Sequence, residues 1–188
     1  MNKTSELAKL AQEIVSRDVC HDLATQATQL VMGYGNSNAK LVLIGEAPGA
    51  HEDREGRPFI GAAGKLLDKM LADSGLVRDD IYITNIVKYR PPENRDPLPC
   101  EKAEFWPYLL RELEIVNPEV IAPMGRHAMT YFLPDASISK AHGQSFIYDK
   151  WKVMPLYHPA AALYNGSLRQ TLFSDFNNLA QQFKLLNS

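Results

Sequence analysis

Four short runs of apolar residues mark the strands that this chain is expected to form. They lie at residues 41–44, 81–83, 120–122 and 153–156, and polar or turn-forming residues bound each of them. A continuous apolar run of this length is typical of a strand buried on both faces. The pattern therefore predicts a sheet of four interior strands.

The segments around these runs carry apolar residues at helical spacing. The stripes lie within residues 7–15, 63–71, 105–113 and 172–183. Strands that alternate with helices favour right-handed crossovers and a parallel sheet covered by helices. We therefore predict an α/β fold with a central, mainly parallel four-stranded sheet. A length of 188 residues favours a single domain over residues 1–188.

The balance of basic and acidic residues limits the functions that the chain can have. The chain has 20 basic and 22 acidic residues, which gives a formal net charge of −2. This balance excludes a protein coated in positive charge, so any contact with nucleic acid requires a local patch. The N-terminal segment is charged throughout and lacks an apolar signal core, and no run reaches the roughly 18 apolar residues that span a bilayer. We expect a cytoplasmic protein with no membrane partner.

Cysteine and histidine placement bears on metals and redox chemistry. The two cysteines, Cys20 and Cys100, cannot build a disulfide framework or fill a four-thiolate site by themselves. Such sparse usage fits a reducing compartment. His51, His127 and His142 have no companion at metal-ligand spacing, so we expect no metal site.

Residues that are suited to ligand binding or catalysis follow each predicted strand. Gly-Glu-Ala-Pro-Gly at 45–49 follows the first, Asn85 the second, Gly-Arg-His at 125–127 the third and His158 the fourth. In parallel α/β sheets, ligands bind outside the carboxyl ends of the strands. These groups should therefore meet at one rim of the sheet.

Each of these features has a structural and a functional interpretation. The loop at 45–49 is either an ordinary turn or a close approach of backbone to a ligand, and it lacks the Gly-Lys-Ser/Thr of a P-loop. Phe59 is either a core anchor or a platform for a flat base. Asn85 either closes a turn or reads a base edge. His158 is either structural or a donor to a developing anion.

Charged residues near the rim have the same ambiguity. Basic side chains that flank it form a candidate phosphate-binding patch, although each can equally be a solvated surface residue: Lys88, Arg90, Arg95 and Arg169. The adjacent Glu52 and Asp53 are expected to hold the neighbouring arginines at 54 and 57 rather than a divalent metal.

Three segments together resemble a known family. They read GEAPGAHEDREGRPFIGAAGKLL from residue 45, ITNIVKYRPPENRDP from residue 83 and YHPAAAL from residue 157. Their order and spacing are similar to family 4, the prokaryotic type, of the uracil-DNA glycosylase superfamily, over about residues 33–183. The resemblance implies a three-layer α/β/α sandwich that removes uracil from DNA without metal catalysis and leaves an abasic site.

The resemblance also implies roles for individual residues. Glu46 would position or activate water, and His158 would stabilise the uracil O2 as negative charge develops. Phe59 would stack on the base and Asn85 would read its edge. Residue 47, an alanine here, is where the best-known branch of the superfamily has a catalytic aspartate. The implied uracil-binding residues are Gly45, Ala47, Phe59 and Asn85.

Contact with DNA would come from the same rim. A base must be turned out of the duplex before its glycosidic bond can be reached, at a cost of a few kcal/mol. Leu163 and Tyr164 resemble the loop that enters the duplex and fills the gap. The expected phosphate contacts are Lys88, Arg90 and Arg169.

The chain departs from the family at its cofactor. Typical members hold a [4Fe–4S] cluster on four cysteines, and Tyr89 and the pair Phe105 and Trp106 stand where two of them are usually found. A cluster needs four ligands, and Cys20 and Cys100 do not complete a set. We therefore expect no cluster, with the three aromatic residues filling its place as an apolar plug.

Two other functions stay open. The chain could be a nucleic-acid-binding member that has lost catalysis, or a glycosylase for another deaminated base. The joint presence of Glu46, Phe59, Asn85 and His158 favours the enzyme, because a binding module needs no such set. We expect uracil-containing DNA as the partner and a monomeric protein.

Overall fold

A central sheet organises the part of the chain that the structure describes. The structure is a computed structural model covering residues 2–186. Its strands are β1 at Tyr34–Gly35, β2 at Leu41–Gly45, β3 at Tyr82–Asn85, β4 at Val120–Pro123, β5 at Phe146–Tyr148 and β6 at Trp151–Val153. They lie side by side in the order β1-β3-β2-β4-β6-β5. The inner four strands are parallel, and the two edge strands are antiparallel to their neighbours.

Helices connect and cover these strands. Those of the described residues are α1 (Lys3–Ser16), α2 (His21–Ala24), α3 (Ala50–Glu55), α4 (Ala62–Ser74), α5 (Pro99–Val116), α6 (Arg126–Met129), α7 (Ile138–Ala141), α8 (Pro159–Ala162) and α9 (Gly166–Leu186). The four apolar stripes of the sequence fall on the long helices α1, α4, α5 and α9. None of the helices in residues 2–186 combines the length and apolarity required to cross a bilayer.

The sheet is buried on both faces, as its continuous apolar strands require. Leu41 and Leu43 of β2 lie in a cluster with buried residues of α4 and α9. Val42 and Ile44, which point to the opposite face, lie in a second cluster with buried residues of α1 and α5. Successive strand side chains alternate between faces. Because helices cover both faces, every residue of β2 is buried. The predicted three-layer α/β/α sandwich is confirmed.

The prediction of four strands is incomplete. The inner four parallel strands correspond to the predicted runs, but β1 and β5 add two edges. These edge strands have only two and three residues, too few to produce a period-2 pattern. The last predicted run, 153–156, is also displaced. The ladder of β6 ends at Val153, but the N–H groups of Met154 and Leu156 still donate to the carbonyls of Ile121 and Pro123, both at 2.9 Å, and an isolated bridge pairs Met124 with Leu156.

The register of the inner strands brings their carboxyl ends together. Gly45 pairs with Asn85 across β2 and β3, and Ile44 pairs with Pro123 across β2 and β4. The loops that follow these strands therefore leave the sheet at the same edge. This edge is the rim at which the sequence pattern places the chemistry.

Candidate active site

A cavity of about 180 Å³ opens at the carboxyl ends of the inner strands. Its walls come from loops that are far apart in sequence, and it is lined by Ala47, Gly49, Glu52, Phe59, Ala63, Asn85, His158 and Ala160. The predicted convergence of the loop after β2, Asn85 and His158 on one rim is therefore confirmed, and Phe59 lies with them. A wider groove of about 460 Å³ between α1 and α5 shares no residue with this cavity, and its Glu13 and Arg111 are paired with each other.

Asn85 ends β3 and directs its side chain into the cavity wall. The residue is 2% exposed, and its Oδ1 is enclosed without a hydrogen-bond partner among the described residues. A buried amide oxygen without a partner is costly, so its position indicates a group that a ligand satisfies. Gly45 allows this placement, because a Cβ there would lie 2.3 Å from Asn85 Oδ1 and 2.7 Å from the Phe59 ring.

Phe59 forms a wall of the cavity in a strained conformation. Its φ is 53°, a left-handed value that costs a non-glycine residue about 1–3 kcal/mol and clusters at functional sites. Gly64 of α4 permits it, since a Cβ there would lie 1.9 Å from the Phe59 carbonyl oxygen. Glu52 fixes the following segment, because its Oε1 accepts from the N–H groups of Ile60 at 3.0 Å and Gly61 at 2.9 Å.

The expectation that Glu52 and Asp53 hold the neighbouring arginines is wrong. Asp53 is 4% exposed and accepts hydrogen bonds from the backbone N–H and the hydroxyl of Thr28, at 2.9 and 2.7 Å. Arg57 instead lies 3.9 Å over the ring of Tyr34. Two carboxylates adjacent in sequence thus anchor two different loops. Sequence reasoning missed Glu52 as part of the site because its partners are backbone N–H groups, which leave no trace in the residue pattern.

His158 is the N-cap of α8, one residue before Pro159. Its Nδ1 accepts a hydrogen bond from the Ala160 N–H at 3.1 Å, so the hydrogen of a neutral imidazole is on Nε2. Its ring lies 5.6 Å from the Phe59 ring, centroid to centroid. Burial lowers the pKa of His158 to about 4, against the opposing effect of Glu52. The side chain is therefore a neutral Nε2–H donor at pH 7.

Glu46 lies on the other side of His158, in an adjoining cavity of about 310 Å³. Burial, followed by the charge of Asp96, raises the pKa of Glu46 to about 7. His127, at the start of α6, places Nδ1 3.6 Å from Glu46 Oε1 and Nε2 3.2 Å from Asp96 Oδ2. The sequence marked residues 125–127 only as a segment at a strand end, so the approach of His127 to Glu46 was missed.

Donor atoms of Glu46, Asp96 and His127 lie within 4.8 Å of one another, although these residues have no metal-ligand spacing in sequence. A cation there would meet the guanidinium of Arg126, whose Nε is 3.1 Å from His127 Nε2. We therefore do not assign the group as a metal site, and the expectation that no metal is bound stays a prediction.

The prediction that Lys88 contacts DNA is wrong. Its side chain is completely buried, as is that of Glu112 of α5. The Lys88 Nζ donates to Glu112 Oε2 at 2.5 Å, to Thr84 Oγ1 at 2.6 Å and to the Asn85 carbonyl at 2.7 Å. An amine with three internal acceptors and no exposed surface cannot reach a phosphate. It instead fixes the backbone at the end of β3.

The other predicted DNA contacts lie outside the core. Tyr164 is 94% exposed and Leu163 is 37% exposed, directly after α8. Arg169 is exposed on the first turns of α9, and Arg90, which is partly exposed, donates to Asn94 Oδ1 at 2.8 Å. By contrast, Arg95, named with them in the basic patch, is held by Glu101 through hydrogen bonds of 2.9 and 2.5 Å.

The residues present do not fit the four-thiolate cluster that the family resemblance implies. Cys20 is buried, and burial raises the pKa of its thiol to about 12, which disfavours a thiolate ligand. Cys100 is exposed. Tyr89 and Phe105 pack edge to face at 5.9 Å in the core cluster that includes Cys20. Trp106 lies farther out, 4.6 Å from the Tyr131 ring.

Comparison with known proteins identifies the family. The sequence model of the Uracil DNA glycosylase superfamily matches residues 32–181. This chain belongs to the uracil DNA glycosylase superfamily. It is 45% identical over 184 residues to a type-4 uracil-DNA glycosylase of Archaeoglobus fulgidus, covering 93% of this chain and 92% of that protein. It is also 40% identical to the type-4 uracil-DNA glycosylase of Thermotoga maritima, covering 93% and 94% of the two chains.

The matched region contains the whole candidate site of this superfamily member. The cavity at Asn85, the Glu46 group and the Leu163–Tyr164 loop all lie between residues 32 and 181. A type-4 uracil-DNA glycosylase of Sulfurisphaera tokodaii is 44% identical over 186 residues, covering 93% of this chain and 84% of that protein. The matched region therefore extends beyond the rim to helices that cover the sheet, such as α4 and α5.

Proposed function

We propose that this protein hydrolyses the N-glycosidic bond of uracil in DNA and leaves an abasic site, as a step of base excision repair. One observation carries the proposal: a small cavity is lined by an unpartnered Asn85 amide oxygen, the Phe59 ring and the neutral His158 imidazole. Relatives named type-4 uracil-DNA glycosylase, at 40–45% identity over 93% of the chain, support it.

The cavity suits a flat base with a polar edge. A uracil turned out of the duplex would stack on Phe59, a contact worth about 1–3 kcal/mol. The Asn85 Oδ1 would accept from the uracil N3–H, and its amide would donate to the adjacent carbonyl. Gly45 allows Phe59 and Asn85 to hold these positions, because any side chain there would meet both of them.

His158 would supply the stabilisation of the leaving group. Cleavage of the glycosidic bond puts negative charge on the uracil, and a preorganised donor to such an anion contributes about 3–4 kcal/mol. The neutral Nε2–H meets this requirement, because Nδ1 is already occupied by the Ala160 N–H. A neutral donor does not protonate the departing uracil, so the base leaves as an anion held by hydrogen bonds.

Glu46 would act on the sugar side of the bond. Its carboxylate, ionised, offsets the positive charge that develops on the sugar and orients the water that attacks it. Because the pKa of Glu46 is about 7, the ionised fraction grows as the pH rises through neutrality. The rate of the chemical step should therefore increase from about pH 6 to about pH 8.

DNA would be held by exposed groups around the cavity. Tyr164 and Leu163 would occupy the space left by the flipped nucleotide, and Arg90 and Arg169 would contact phosphates. We propose that the protein acts as a monomer in the cytoplasm, where the free thiols Cys20 and Cys100 stay reduced.

We also propose that the protein works without an iron–sulfur cluster. The chain supplies two cysteines, and a cluster needs four ligands. Protein purified under exclusion of oxygen should be colourless and free of iron by elemental analysis. A brown protein with stoichiometric iron would overturn this part of the proposal.

Cleavage assays test the function directly. Oligonucleotides that hold one uracil, one hypoxanthine or no lesion are incubated with the protein and then treated with alkali, and we expect strand cleavage only at uracil. Asn85→Ala and His158→Ala should each lower the single-turnover rate at least about tenfold, or 1.4 kcal/mol. Asn38→Ala and His21→Ala, which change exposed residues, should leave it unchanged.

Each alternative function predicts a different outcome. Stoichiometric DNA binding without cleavage of any substrate would indicate a binding protein rather than an enzyme. Cleavage at hypoxanthine but not at uracil would indicate a glycosylase for another deaminated base. Wild-type rates in both Asn85→Ala and His158→Ala would remove the roles assigned to these residues.

A further inference from the structure

Glu46 presents an unusual carboxylate oxygen. Its Oε1 is enclosed and has no hydrogen-bond partner among the described residues, although its side chain as a whole is 20% exposed. An enclosed carboxylate oxygen without a donor carries a desolvation penalty. A donor that approaches Oε1 would remove this penalty and fix the carboxylate in one orientation.

His127 is placed to be that donor. Its Nδ1 lies 3.6 Å from Glu46 Oε1, slightly beyond hydrogen-bond length. Its Nε2 lies 3.1 Å from the Nε of Arg126, which can only donate. Nε2 is therefore the acceptor of this contact, and a neutral imidazole then has its hydrogen on Nδ1, on the side of Glu46. Asp96 Oδ2 lies 3.2 Å from the same Nε2 and favours the other tautomer, so the assignment of the hydrogen to Nδ1 rests on the Arg126 contact.

Burial favours the neutral form of the His127 imidazole, and the surrounding charges act on the pKa values of both His127 and Glu46. Burial lowers the pKa of His127, while Asp96 opposes that effect. Asp96 also raises the pKa of Glu46, whereas Lys102 and Arg126 lower it. The titratable and charged groups that face Glu46 from the loop before α5, from α5, from α6 and from the segment before α8 are Arg95, Asp96, Lys102, Arg126, His127 and His158.

The backbone turn at Gly125 places His127 beside Glu46. Gly125 ends the extension of β4 with a φ of 88°, and a Cβ there would lie 3.1 Å from His158 Cβ. The chain can thus turn tightly past His158 and start α6 with His127 beside Glu46. Hydrogen bonds of catalytic groups are often long in the free enzyme and tighten when substrate binds.

We propose that His127 is a positioning residue, whose Nδ1–H closes onto Glu46 Oε1 and holds the carboxylate against the sugar and the attacking water. The inference rests on the proposed glycosylase function. It assigns His127 no contact with uracil. It predicts that loss of the imidazole changes the pH dependence of the chemical step without changing the affinity for DNA.

The test is the single-turnover rate of uracil excision as a function of pH. In the wild type the rate should fall as the pH drops through the pKa of Glu46, and Glu46→Gln should remove this acid limb. His127→Leu should move the limb to higher pH, because the carboxylate loses its donor. A shift of about one pH unit lowers the rate about tenfold on the acid side and much less above about pH 8.

Two further variants separate positioning from folding. His127→Asn keeps an N–H near the position of Nδ1 and should restore most of the wild-type profile. His21→Leu removes a histidine that also faces a carboxylate, Asp18 at 2.6 Å, but lies outside the site, and should leave the profile unchanged. Equilibrium DNA binding of His127→Leu should equal that of the wild type.

Several results would overturn the inference. One is an acid limb of His127→Leu at the same pH as in the wild type, and another is a uniform loss of rate at all pH values together with weaker DNA binding. A third is no recovery of the rate in His127→Asn, and a fourth is an acid limb that persists in Glu46→Gln. Absence of uracil excision by the wild type would instead refute the proposed function. The two failures are thus distinguishable in one set of assays.

Discussion

The buried ion pair between Lys88 and Glu112 offers the sharpest prediction about stability. Lys88→Met keeps the length and apolar stem of the side chain but removes the charge. It leaves the Glu112 carboxylate completely buried without its cation. Removal of one partner from a buried pair costs about 3–5 kcal/mol, because the remaining charge is uncompensated.

The structure places the expected loss at the lower end of this range. Glu112 keeps three other donors in the variant: the Tyr82 hydroxyl at 2.8 Å, the Thr84 hydroxyl at 3.0 Å and the Gly33 N–H at 3.1 Å. These bonds still solvate the carboxylate, so we expect a loss of about 3 kcal/mol in the free energy of unfolding. The Asn85 carbonyl also loses a donor, so uracil excision should weaken.

Urea denaturation followed by circular dichroism measures this loss. Lys69→Met, which changes an exposed lysine of α4, is the control and should stay within about 0.5 kcal/mol of the wild type. The double variant Lys88→Met/Glu112→Gln should be more stable than the sum of the single effects predicts, because it contains no unpaired charge. A loss below about 1 kcal/mol for Lys88→Met, or strictly additive effects, would refute the reasoning.

Glu112→Gln gives an independent check through pH. Burial lowers the pKa of Lys88, and Glu112 opposes that effect, so the pKa falls further in this variant. The folded variant then binds fewer protons than the unfolded chain below the ordinary lysine pKa of about 10.4. Its stability should decrease as the pH falls from about 9.5 to about 7. A destabilisation that does not change over this interval would contradict the assigned cause.

Three further substitutions test the rim. Gly45→Ala brings a Cβ to 2.3 Å from Asn85 Oδ1, so uracil excision in single-turnover assays should fall by at least about tenfold; a wild-type rate would show that the amide is not the reading group. Tyr164→Ala removes a side chain that is 94% exposed, so excision from duplex DNA should fall more than excision from single strands, with the melting temperature unchanged. An equal effect on both substrates would refute insertion into the duplex. Asp53→Ala leaves the Thr28 N–H without its 2.9 Å acceptor and should cost about 1–3 kcal/mol in urea denaturation, and an unchanged midpoint would contradict this.

The layered architecture could be predicted because it depends on local patterns. A strand buried on both faces must be apolar at every position, and a covering helix must be apolar on one side, so both leave a periodic signal. The inner strands and the long helices follow from this rule. The edge strands β1 and β5 do not, because they have only two and three residues and none of these is buried.

The identity of the rim residues was also accessible from sequence. Residues at the carboxyl ends of parallel strands must meet, so Asn85 and His158 could be grouped although 73 positions separate them. What they face once grouped could not be predicted. The enclosure of Asn85 Oδ1 depends on Gly45 and Phe59 together, and the neutral state of His158 depends on burial and on one backbone N–H.

By itself, the sequence determined the order of the inner strands and long helices, the rim on which the candidate site lies and the supply of only two thiols for a cofactor. The tertiary structure alone decided which charged groups are paired. Lys88 looks like a phosphate contact in sequence and is an interior cation, while His127 looks isolated and lies 3.6 Å from Glu46. The physical reason is that the residue type gives the ionisable group of a side chain, whereas its solvation and its partners depend on elements that meet only when the chain folds.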